Sequence, residues 1–125
     1  MILKKHLNIL FIIFIASVSQ AANTISSKEV PFHHGENIVA CGVLKEASRF
    51  NKGVYLNMDA AYPNQSMTFV VWEGDLAEFN KKFGNLNELV EENICGSGVV
   101  KEYKGRSQIH LYNAFSLRIE GDVEQ

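Results

Sequence analysis

The sequence predicts an all-β domain, a barrel of five strands interrupted by one helical segment, and three observations carry that prediction. Five stretches are rich in Val, Ile and aromatic residues, lack a helical period and are bounded by Gly, Pro, Asn or Asp. One stripe of apolar residues at spacings of three and four follows the third of these stretches. An internal echo links the first and fourth: ACGVLKEASR (40–49) and GSGVVKEYKGR (96–106) share Gly, then Val/Leu-Lys-Glu, then a basic turn.

The elements follow in order. Residues 36–46 (ENIVACGVLKE) read as a strand, and 47–53 (ASRFNKG) as a turn ending in Gly. Residues 54–58 alternate apolar and polar, which predicts a second strand. Residues 59–65 (DAAYPNQ) are loop chemistry, with Pro63-Asn64 favouring a turn. Residues 66–72 (SMTFVVW) are β-branched and aromatic, a third strand. Over 73–93, Leu76, Phe79, Phe83, Leu86, Leu89 and Val90 form the helical stripe, and Gly84-Asn85 divides it into two short pieces. Strand character returns at 94–103 (ICGSGVVKEY). Lys104-Gly105 makes a tight turn, and 107–120 (SQIHLYNAFSLRIE) forms the last strand, bent near Asn113-Ala114. The order β-β-β-α-β-β, with the helix between strands three and four, is that of an OB-fold, a five-stranded partly open barrel. In such a barrel the first strand pairs with the fourth. Cys41 and Cys95 lie in those two strands, and Gly42, Gly96 and Gly98 suit sharply coiled ones.

The start of the chain reads as a secretory signal peptide, residues 1–21. Lys4 and Lys5 precede an apolar run at 7–18, and Ser19-Gln20-Ala21 places small residues at the −3 and −1 positions. That run is shorter than the roughly 20 residues needed to span a bilayer. Cleavage takes 21 residues from 125 and leaves 104, room for one domain: a flexible leader at 22–35 and the barrel at 36–121. A periplasmic or secreted location is expected, without stable membrane insertion. The chain carries 12 basic and 14 acidic residues; without Lys4 and Lys5 the balance is 10 against 14. That argues against tight, indiscriminate binding to bulk nucleic acid, which rests on many phosphate contacts. Two cysteines in an exported chain predict a disulfide between Cys41 and Cys95.

The segment GSGVVKEYKGRSQIHLYNAFSLRIE (96–120) resembles the last two strands of bacterial OB-fold proteins of the nucleic-acid-binding, tRNA-anticodon-binding-like type. Those strands typically read Gly-x-Val, a Tyr-x-Gly-Arg-x-Gln-Ile turn, then a strand ending near Ile-Glu. Residues 39–72 resemble the first three strands of the same group. The resemblance implies an OB-fold and a binding role rather than catalysis. Single-stranded nucleic acid is the leading ligand it implies, with oligosaccharides and proteins as the other ligands of the fold.

OB-folds bind ligands across strands two and three and the loops joining strands one–two and four–five. Those loops hold Arg49, Lys52, Lys104 and Arg106, with Lys101 just before, and Tyr55 and Tyr103 lie nearby. Cations beside aromatic platforms are what single-strand binding requires: the cations meet phosphates and the rings stack on bases. The plainer alternative is that the basic residues solvate turns and the aromatics fill the barrel. Tyr62 to Gln65 read as a simple hairpin turn, and Trp72 as a core or helix-packing residue. His33-His34 beside Glu36 lack a third ligand at a recognisable spacing, so no metal is expected, and His110 reads as a partly exposed sheet residue. No Gly-x-Ser-x-Gly elbow or phosphate loop occurs, so neither an enzyme nor a cofactor is expected. The sequence therefore predicts a non-catalytic binding module for single-stranded nucleic acid or another anionic extended ligand. The alternatives are an envelope protein-interaction or structural subunit, presenting the Leu76/Phe79/Phe83 face to a partner, and an oligosaccharide-binding module.

Overall fold

A computed structural model of the chain describes residues 12–13 and 23–121. The expected signal peptide, residues 1–21, otherwise lies outside the described residues. The strands are β1 (Asn23–Ser26), β2 (Asn37–Phe50), β3 (Gly53–Met58), β4 (Thr68–Trp72), β5 (Asn93–Tyr103), β6 (Arg106–Leu111) and β7 (Leu117–Ile119), with helix α1 (Leu76–Phe83) between β4 and β5. Five of them close a barrel in the order β2-β3-β4-β6-β5, with β5 returning to pair β2. All neighbours are antiparallel except β4 and β6, which run parallel.

One long strand makes the closure possible. The first half of β2, Asn37 to Val43, pairs with β5, and its second half, Leu44 to Phe50, pairs with β3. The register slips between Leu44 and Glu46, so Lys45 is an extra residue that bends the strand between its two partners. Inward positions then follow strand parity. Leu44, Leu56, Met58, Phe69, Val71, Ile94, Ile109 and Leu111 are all sealed from solvent. Gly96 is part of that packing. A Cβ there would lie 2.5 Å from Cε1 of Phe69, so only glycine lets the ring fill the barrel.

The helical stripe folds as predicted, into two pieces. α1 ends at Gly84, whose φ of 73° a side chain disfavours, and a 3-10 turn follows at Leu86–Leu89. Phe79 is fully buried and Leu76 and Phe83 are partly buried against the core, so this face caps the barrel. Cys41 stands opposite Cys95 in the β2–β5 ladder, and the two form a disulfide. No helix among the described residues is long and apolar enough to cross a membrane.

Two sequence expectations are corrected. The segment expected as a flexible leader forms β1, parallel to β2, and a 3-10 turn at Ser27–Phe32 with Val30 and Ser27 fully buried. The Ser27 hydroxyl donates to the Asp59 carboxylate at 2.6 Å, and Ser66 donates to the same oxygen, so a buried polar contact ties this segment to the barrel. The last strand is not one bent strand. Asn113 caps a 3-10 turn at Ala114–Ser116, after which β7 leaves β6 and pairs with the first part of β5.

Candidate functional site

The outer face of the barrel is set by parity. On β3, Val54, Leu56 and Met58 point inward, so Tyr55 and Asn57 point outward. Cross-strand register lines these up with outward residues of the other strands. Glu46, Asn57, Thr68, Gln108 and Lys101 form one row across five strands, and Ser48, Tyr55, Val70 and His110 form the next. The two rows floor a groove between the β2–β3 turn (Asn51-Lys52) and the β5–β6 turn (Lys104-Gly105).

Two adjoining cavities make up the groove. One, of about 290 Å³, is lined by residues that include Phe50, Lys52, Tyr55, Trp72, Lys101 and His110. The other, of about 340 Å³, includes Glu46, Asn57, Tyr62, Gln65, Lys104 and Arg106. Tyr55, Tyr103 and Gln108 line both. At the first, the rings form a continuous ridge. Phe50 stacks on Tyr55 with centroids 4.0 Å apart, Trp72 meets Phe50 at 6.1 Å and His110 at 5.2 Å, and Tyr112 stands 6.1 Å beyond His110.

The cations sit against rings. Arg106 lies 4.8 Å from the Tyr62 centroid and donates to the Pro63 carbonyl at 3.1 Å, Lys104 lies 5.3 Å from the Tyr103 ring, and Lys101 donates to the Tyr112 hydroxyl at 3.3 Å. Burial, and then the neighbouring Lys101 charge, hold the His110 imidazole below its usual pKa.

At the second cavity the polar groups form a chain. Asn57 is almost wholly buried; its amide donates to Glu46 at 2.7 Å and its carbonyl accepts from the Thr68 hydroxyl at 2.8 Å. The same Glu46 oxygen accepts the Tyr62 backbone N–H at 3.1 Å. The buried Oε1 of Gln65 has no partner among the described residues.

Six of the seven expected binding residues thus meet in one groove: Lys52, Tyr55, Lys101, Tyr103, Lys104 and Arg106. Arg49 does not join them. It pairs with Val54 across the ladder, on the opposite face from Ser48 and Phe50, and forms an ion pair with Glu73 at 2.6 Å. Trp72 is not a core residue; it belongs to the outer ridge. Tyr62 and Gln65, read as turn residues, line the groove. Asn57 and Gln65, the neutral polar neighbours expected of an oligosaccharide binder, both line the groove, whereas Glu46, Thr68 and Gln108 went unseen because only cross-strand register brings them beside Asn57. His33 and His34 have separate partners, Glu36 at 2.7 Å and Ser107 at 2.9 Å.

No protein-family model and no curated protein matches the chain. Solved structures do. An OBody bound to hen egg-white lysozyme aligns with a TM-score of 0.59 at 16% identity, over 82% of this chain and 96% of that one. Asparaginyl-tRNA synthetase from Pyrococcus horikoshii aligns at 0.53 and 20% identity, over 80% of this chain, which spans only 23% of the synthetase. The Stn1-ten1 complex of S. pombe aligns at 0.51 and 11% identity, over 69% of this chain and 59% of that one. With its closed five-stranded barrel, the helix between the third and fourth barrel strands, and these neighbours, the chain is an OB-fold.

Proposed function

We propose that the chain is an exported, non-catalytic OB-fold module that binds single-stranded nucleic acid along the groove. The observation that carries this reading is the ridge Phe50, Tyr55, Trp72, His110 and Tyr112, with Lys52, Lys101, Lys104 and Arg106 beside it and the neighbouring cavity. Bases stack on such rings at about 1–3 kcal/mol each, and the cations neutralise phosphates. The barrel neighbours include a tRNA synthetase, in keeping with a nucleic-acid ligand. Export, to the periplasm or the medium, is supported by the Cys41–Cys95 disulfide and by the signal-like run behind Lys4 and Lys5.

The test is binding of the purified, oxidised protein to fluorescent single-stranded DNA and RNA at about 50 and about 200 mM salt, a range over which several phosphate contacts cost orders of magnitude in affinity. Salt-sensitive binding that weakens roughly tenfold in Tyr55→Ala is expected, since one lost stack is worth about that factor. Absence of binding at the lower salt retires the reading. A protein partner is the second reading, favoured by the OBody neighbour seated on lysozyme and by the strongly exposed Phe32 and Phe115. It predicts a partner held with little salt dependence.

A further inference from the structure

The second cavity is built differently from the ridge, and its chemistry is the less expected. Glu46 is a half-buried carboxylate in a groove that otherwise gathers cations, yet no Lys, Arg or His nitrogen stands within ion-pair distance of it among the described residues. One of its oxygens is occupied by the Asn57 amide and the Tyr62 N–H; the other has no protein donor among the described residues. Gln65 lines the same cavity with a buried, unpartnered Oε1. The burial cost of an acceptor left without a donor, about 1–3 kcal/mol, falls on the Gln65 Oε1; the open oxygen of Glu46 is not buried, so N–H or O–H donors of a ligand can reach it. Tyr55, Tyr62 and Tyr103 surround them with aromatic surface.

The ligand's other properties follow from the same wall. Lys104 and Arg106 line the cavity too, and they repel a cation that would otherwise suit a carboxylate among tyrosines. What fits is a flat ring with adjacent donors on one edge and a negative charge attached. Single-stranded bases are read on their Watson–Crick edges. Adenine and cytosine set a ring-nitrogen acceptor beside their amino donor, and that acceptor would face the carboxylate. Thymine and uracil flank one N–H with two carbonyls. Guanine alone puts N1–H and N2–H₂ side by side.

We infer that this cavity is a guanine-reading subsite: the free oxygen of Glu46 accepts from both N1–H and N2–H₂ of the base edge. Arg106 and Lys104 hold the adjoining phosphates. The inference rests on the single-strand reading above and adds base selectivity to it. One nucleotide of a bound strand is then read while the ridge beside it stacks its neighbours without preference.

The experiment is fluorescence anisotropy with the purified protein and an eight-residue oligothymidylate, alone and with one central position replaced by dG, dA, dC or inosine. One dG should tighten binding about tenfold, the lower end of the discrimination of a base-edge contact. Inosine, which lacks the 2-amino group, should give back most of the gain, and that arm needs no protein variant. In Glu46→Gln the dG preference should vanish, so that the dG oligonucleotide binds no more tightly than oligothymidylate to the same variant. Equal binding of all the oligonucleotides overturns the subsite and leaves the single-strand reading standing, as does a dG preference that survives Glu46→Gln. Failure of every oligonucleotide to bind overturns both.

Discussion

At the scale of single residues, His110 connects the groove's electrostatics to something measurable. Its ring touches the edge of Trp72, the only tryptophan in the chain, at 5.2 Å. Burial disfavours the imidazolium, and the Lys101 charge disfavours it further, so the folded-state pKa lies below the usual 6.5. The fold therefore prefers the neutral ring. The stability that His110 contributes is fully present above pH 6.5 and is lost as pH falls from there through the folded-state value. His110 resonances should titrate with a midpoint below 6.5, and Trp72 fluorescence should change over the same range. Lys101→Ala should move both midpoints up together while leaving them under the usual value, because burial remains. A midpoint indifferent to Lys101 would show that this charge does not reach the ring. The residue scale also explains why Arg49 misled. Its basic character and its place near a loop were legible in the sequence. Which face it takes depends on the β2–β3 register, and a one-residue slip would have exchanged it with Ser48.

At the scale of elements, the β2–β5 ladder carries the closure and the disulfide reinforces it. The ladder pairs Asn37 with Val99 through to Val43 with Asn93, and Cys41–Cys95 lies within it, closing a loop with a sequence separation of 54. The loop-entropy model gives a bridge of that span about 4 kcal/mol, and about 2–4 is the usual yield. Replacing both cysteines by alanine should therefore lower the unfolding free energy by about 2–4 kcal/mol, seen as a lower urea midpoint with a somewhat steeper slope because the uncross-linked denatured chain exposes more surface, while the far-ultraviolet circular dichroism stays native, because the backbone ladder persists. Binding should be unaffected, since neither cysteine lines the groove. An unchanged midpoint would mean that the ladder alone closes the barrel. The elements legible in the sequence were those with strong local patterns: the aromatic β4, the glycine-split helical stripe and the Lys104-Gly105 turn, where both residues take positive φ, the conformation of a tight hairpin. Those missed owe their form to distant partners. β1 is polar and short, and it exists because Ser27 reaches Asp59 and Val30 finds the core. β7 separates from β6 because Asn113 caps a turn and β5 offers a free side.

At the scale of the whole molecule, the sign of the net charge conceals where the charges lie. The chain sums to −2, yet Lys52, Lys101, Lys104 and Arg106 line one groove, while Arg49 and Lys45 are tied to Glu73 and Glu91. Low net charge weakens indiscriminate attraction to polyanions, and a local cluster keeps the short-range contacts, which suits a module that holds a strand in one track. Four phosphate contacts on a single strand correspond to a log–log salt slope of roughly −3. Lys104→Ala with Arg106→Ala should remove two of them and bring the slope to roughly −1.4, with weaker binding at every salt. Lys28→Ala with Lys81→Ala removes the same formal charge from exposed positions on the N-terminal 3-10 turn and on α1, outside the groove lining. That pair should leave the slope near −3. If both double variants flatten the slope equally, the protein senses its ligand through overall charge alone and the groove is not the track. If only the first does, the four cations act as placed contacts, and the aromatic ridge beside them is where the bases lie.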